Sequence, residues 1–78
     1  MKYAIVIEKA ENNYSAYVPD LPGCITTGKS LEETRRLMQE AIEFHIEGLR
    51  LHGDPVPQPT SICEYIAIGP MSEFAKQQ

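Results

Sequence analysis

Ser30-Leu31-Glu32-Glu33 opens a stretch whose apolar residues recur at helical spacing, and Gly53 followed by Pro55 closes it. The opening is a capping box. The Ser30 hydroxyl is placed to accept from the Glu33 amide, and the Glu33 carboxylate to reach back to the amide of Ser30. At about 100° per residue, Leu31, Thr34, Leu37, Met38, Ala41, Ile42, His45, Ile46 and Leu49 share one broad face. Glu32, Arg36, Gln39, Glu40, Glu43, Glu47 and Arg50 lie opposite. Gly53 supplies a C-terminal cap near His52, and Pro55 forbids much continuation. One amphipathic helix cannot bury its own stripe, so the rest of the chain must supply the surface it covers.

That surface reads as a sheet. Tyr3 to Lys9 is rich in β-branched and aromatic residues, with Tyr3, Ile5 and Ile7 on one side and Ala4 and Val6 on the other. Both sides are apolar, as in a central strand. Ala10-Glu11-Asn12-Asn13 makes a turn, and Tyr14 to Val18 returns as the second strand of a hairpin. Pro19-Asp20-Leu21-Pro22-Gly23 stops it, and Cys24 to Thr27 forms a short third strand ended by Gly28. Beyond the helix, Asp54-Pro55-Val56-Pro57-Gln58-Pro59 is extended, Ser61 to Ile68 is a predicted fourth strand, and Gly69-Pro70 ends it. Met71 to Gln78 is a polar tail with room for one helical turn. The order is β-β-β-α-β, an α+β domain over residues 1–68 with a tail over 69–78, and a mixed sheet carries one helix on one face.

The run Tyr17-Val18-Pro19-Asp20-Leu21-Pro22-Gly23-Cys24 adds specificity to this pattern. It follows Tyr3-Ala4-Ile5-Val6-Ile7-Glu8 and precedes Thr27-Gly28, the capping box, Ala41-Ile42, Gly53 and Val56-Pro57-Gln58-Pro59. Together, over residues 3–68, these resemble the HicB-type antitoxin domain. The resemblance implies a partial ribonuclease-H-like fold with strand order 3-2-1-4. It also implies direct binding of a HicA-like toxin, a small mRNA-cleaving ribonuclease of double-stranded-RNA-binding fold whose histidine site the antitoxin covers. Longer members carry a C-terminal DNA-binding domain that represses their operon. No such segment is read here, so autorepression is not expected of this polypeptide alone.

Charge and size fit a protein partner. The formal net charge is -4, with seven Lys+Arg against eleven Asp+Glu, and no basic stripe suggests nucleic-acid binding. An acidic surface suits a basic protein, and the stripe Glu40, Glu43, Glu47 is the feature that could serve one. The second candidate contact is the corner with Tyr17, Pro19, Asp20, Leu21 and Pro22. A 78-residue chain holds one core, which rarely supplies more than about 3–5 kcal/mol. Ala4, Val6, Tyr17, Tyr65 and Ala67 would form a second apolar surface that one helix leaves uncovered. Both points favour a homodimer or a dimer of dimers. The competing class is a stand-alone oligomeric scaffold or small-molecule-binding module without a toxin.

No apolar run approaches the roughly 18 residues of a membrane span, and no signal peptide is read, so the expected compartment is the cytoplasm. No catalytic, cofactor or metal site is expected. Two-metal nuclease chemistry needs converging carboxylates, yet the first strand offers none before Glu8 at its end. His45 and His52 are seven residues apart, about 10.5 Å along a helix, too far for one zinc ion. His45 reads as a hydrogen-bonded core histidine, and His52 as support for the helix C-terminus. Glu32 is spaced to pair with Arg36. In the strand order 3-2-1-4 that the resemblance implies, Cys24 and Cys63 lie toward opposite edges of the sheet, and both read as buried free thiols.

Overall fold

The computed structural model describes residues 1–70; the tail Met71–Gln78, where a helical turn is expected, lies outside them. Three strands, β1 (Val6–Lys9), β2 (Tyr14–Tyr17) and β3 (Ile25–Gly28), precede one helix, α1 (Leu31–Leu51). The sheet is an antiparallel meander in the order β1-β2-β3. Val6 stands opposite Tyr17, and Tyr17 opposite Ile25. The first turn is closed by the Ala10 amide, which donates to the Asn13 carbonyl at 2.8 Å.

Helix α1 starts where its cap chemistry puts it. Ser30 is extended, its hydroxyl accepts from the Glu33 amide at 3.1 Å, and Glu32 and Glu33 occupy the dipole's positive end. The Glu33 carboxylate reaches one residue further back than expected, accepting from the Lys29 amide at 3.1 Å. At the other end the His52 ring lies with Nδ1 2.8 Å from the Gly48 carbonyl, and Gly53 turns the chain at φ +71°. The Glu32–Arg36 pair does not form; Arg36 reaches the other way, to Glu40 at 3.4 Å. Both of those side chains are well exposed, so the contact contributes little.

The core lies between the helix and one sheet face. Ala16, Val18, Leu21, Cys24 and Met38 are buried together, and Tyr3, Ile5, Ile7, Ala41, Ile42 and Ile46 pack around them. Gly28 lets the sheet approach the helix, since a Cβ there would stand 2.9 Å from the Thr34 backbone nitrogen. Thr34, itself buried, donates its hydroxyl to the Ser30 carbonyl at 2.7 Å. The helix packs against β3 and β2 and makes no close backbone approach to β1.

Four expectations are corrected. Ser61 to Ile68 is not a strand, and the sheet is antiparallel rather than mixed. A strand exists only against a partner edge. Within this chain residues 62–68 lie exposed and form no ladder with β1, although Tyr65 stands at the rim of a pocket it shares with Ile5, Ile7 and Lys9. The first strand is also shorter than Tyr3 to Lys9, because β2 offers no ladder partner to residues 3–5 once Pro19 ends it. Both cysteines are free, but only Cys24 is buried; Cys63 is exposed on the unpaired segment.

Candidate functional site

The segment from Val18 to Cys24 is a hydrogen-bonded corner. The Leu21 amide donates to the Val18 carbonyl at 3.1 Å, the Cys24 amide to the Leu21 carbonyl at 3.0 Å, and the Val18 amide to the Cys24 carbonyl at 3.2 Å. Gly23 adopts φ +84°, which an L-residue takes only with strain. Leu21, 0 % exposed, plugs the corner into the core, while Pro19 and Pro22 face solvent.

Asp20 is the corner's anchor for the distant chain. Its Oδ2 accepts from the amides of Thr60 and Ser61 at 3.0 and 2.9 Å, and its Oδ1 from their hydroxyls at 3.3 and 2.8 Å. The Ser61 amide, then the Ser61 hydroxyl, hold the Asp20 carboxyl below the usual carboxylate value. A second tie lies alongside, where the Tyr3 hydroxyl donates to the Pro57 carbonyl at 2.6 Å. Residues 57–61 thus form a strap fastened at both ends. Periodicity showed neither tie, since the partners are 40 or more residues apart. The available signal was a loop carboxylate and a Thr-Ser donor pair after a proline run.

The predicted contact residues fall into two groups. Tyr17 points away from the helix, because its neighbours Ala16 and Val18 fill the core. In register it joins Val6 and Ile25 in an apolar row across the open sheet face, with Tyr17 40 % and Ile25 71 % exposed. Pro19 and Pro22 are also on the surface, whereas Leu21 and the carboxylate of Asp20 are occupied internally. Glu40, Glu43 and Glu47 are exposed along α1, and Glu43 also stands on the wall of a groove that Tyr3, Ile5, Met38, Ile42 and Ile46 share. Ile25, the most exposed member of the apolar row, was not singled out by sequence; only the register reveals it.

His45 is half-buried in a groove it shares with Phe44, Cys24, Ile25 and His52. Burial pushes the Cys24 thiol above its usual value. Glu8 is exposed near the end of β1. Among the described residues no group of three or more His, Cys, Asp or Glu gathers as a metal site would require. No described helix is long and apolar enough to cross a membrane.

A hydrogen-bonded corner, an apolar row on an open sheet and an acidic helix face mark the surface of a small α+β domain. The chain belongs to the HicB-like antitoxin family of bacterial toxin-antitoxin systems, whose family model matches residues 3–76. It is similar to a 14.9 kDa protein from the rep-hol intergenic region of Haemophilus phage HP1, 42 % identical over 85 % of this chain. The chain spans half the length of that relative. A UPF0150 protein of Thermoplasma acidophilum is 42 % identical over 74 % of this chain and 86 % of its own length. A UPF0150 protein of Synechocystis is 36 % identical over 85 % of both chains.

Proposed function

We propose that this chain is a non-enzymatic antitoxin that acts in the cytoplasm, neutralising a HicA-like mRNA-cleaving toxin by binding it directly and covering its active site. Membership of the antitoxin family over residues 3–76 carries this reading. The sheet order β3-β2-β1 with a helix after β3 supports a partial ribonuclease-H-like fold. The contact surface is the apolar row through Tyr17 together with Pro19 and Pro22, and Asp20 and Leu21 hold that corner rigid from within. Glu40, Glu43 and Glu47, with the net charge of -4, steer a basic toxin toward the complex. The antitoxin itself is a homodimer or a dimer of dimers.

The test is a search beside this gene for a basic open reading frame of toxin size, then co-expression with it and an RNA-cleavage assay. Added antitoxin is expected to suppress cleavage stoichiometrically. Tyr17→Asp with Ile25→Asp is expected to abolish suppression while the far-ultraviolet circular dichroism stays unchanged. Replacing Glu40, Glu43 and Glu47 by Gln should slow association mainly at low salt. Failure of the wild-type chain to bind or silence the neighbouring product would overturn the reading.

A further inference from the structure

The chain carries both halves of a complementary pair that it does not join within itself. One half is the segment after the strap, Ile62-Cys63-Glu64-Tyr65-Ile66-Ala67-Ile68. It is made of strand-forming residues with one formal charge, yet Ile62 and Ile66 are 82 % and 84 % exposed and Tyr65 is fully exposed. Apolar surface of that density on a soluble chain marks a contact. The other half is β1. Its outer edge has no strand beside it among the described residues. Because α1 stays over β2 and β3, a groove opens with an apolar floor between Tyr3 and Ile5 on one side and Met38, Ile42 and Ile46 on the other, and with Arg35, Gln39 and Glu43 on its helix wall.

We propose that residues 62–68 are an exchanged strand: the arm of one copy pairs along the open edge of β1 in a second copy, and the second copy returns its own arm. The side-chain alternation fits. Ile62, Glu64, Ile66 and Ile68 share one side of an extended arm; the three isoleucines would fill the groove under the helix, where Arg35 on its wall is the counter-charge for Glu64, while Cys63, Tyr65 and Ala67, on the other side, extend the open-face surface beside Ala4 and Val6. Asp20 fixes the arm's root at residues 60–61, so each arm leaves its own domain from a set point. Two arms and two grooves close under a two-fold axis with no arm and no groove left over. A second copy is the occupant, rather than the toxin, because donor and acceptor occur once each on the same chain. The arm's single glutamate also offers a basic partner little to grip. Copies that each carry a charge of -4 repel, so their contact must be made of apolar area and backbone pairing such as this. This inference rests on the homodimer of the previous section but not on a toxin.

The experiment is sedimentation of the full chain over the micromolar range, with amide exchange on β1. The wild type is expected to be dimeric. Ile62→Lys with Ile66→Lys, at exposed positions, is expected to give a folded monomer in which the outward β1 amides exchange about tenfold faster or more. Ile46→Glu, in the groove, is also expected to be monomeric. An equimolar mixture of the two variants should recover a dimer, since it retains one sound arm and one sound groove. A monomeric wild type overturns the whole reading, dimer included. An arm variant that stays dimeric, or whose β1 exchange matches the wild type, overturns the arm exchange alone. So does an arm that becomes protected only when a basic toxin is added. If Ile46→Glu fails to fold, the exchange measurement on the arm variant decides the groove.

Discussion

Gly28 and Thr34 meet so closely that the fold tolerates no side chain between them. A Cβ at position 28 would lie 2.9 and 3.0 Å from the nitrogen and Cα of Thr34, backbone atoms held in the first turn of the helix. Gly28→Ala is therefore expected to cost about 1–3 kcal/mol, read as a lower urea midpoint with an unchanged slope. The two thiols make a second contrast. Cys24 is buried with a raised pKa, and Cys63 is exposed. At pH 8 one equivalent of a thiol reagent should react fast, and Cys63→Ser should remove that fast phase; the remaining thiol should react only as the protein opens. Sequence placed both residues in apolar segments and read both as buried. It could not separate them, because burial depends on what packs against a segment rather than on the segment's own composition.

Among the elements, the helix was the most legible, since its signals are local: a cap, a period and a stop within one stretch of chain. Ser30→Ala is expected to lose about 1 kcal/mol, seen as a lower thermal midpoint. Ser30→Asp, which keeps an acceptor for the Glu33 amide, should lose much less. The hairpin and third strand were legible for a similar reason, with turn residues at fixed offsets between alternating runs. Ser61 to Ile68 was read as a strand from the same propensities, and its composition does favour one. What it lacks is pairing: it forms no ladder with the open edge of β1 in its own chain, and no window of sequence reports whether such a pairing is made. The candidate contacts split on the same ground. Register revealed Ile25 beside Tyr17, and long-range pairing withdrew Asp20 into the strap.

Taken whole, the molecule is a two-layer body with a strap laid over one end, and the strap's far end is held by one carboxylate. The bonds from Ser61 and Thr60 favour the ionised form of Asp20, so its folded pKa lies below the unfolded value near 3.8. Stability from that source is complete above the unfolded value and is lost as pH falls through the folded one. The difference in denaturation midpoint between wild type and Asp20→Asn should be constant from pH 7 to about 5 and shrink toward pH 2. A difference that persists undiminished at pH 2 would exclude the carboxylate as the anchor. The strap also sets an order of events. Its ties join residues 54, 40 and 41 positions apart, whereas each hairpin and each turn of the helix closes over a short stretch of chain. Loop-closure entropy makes such distant ties the last to form and the first to give way. The docking points, Tyr3 and the corner at Asp20, do not exist until the sheet is built. In native-state hydrogen exchange the Thr60 and Ser61 amides should open well before those of Met38 or Ala41. A newly made chain therefore completes its body while its last third is still free to sample other copies, and maturation of the monomer and choice of partner become successive steps along one polypeptide.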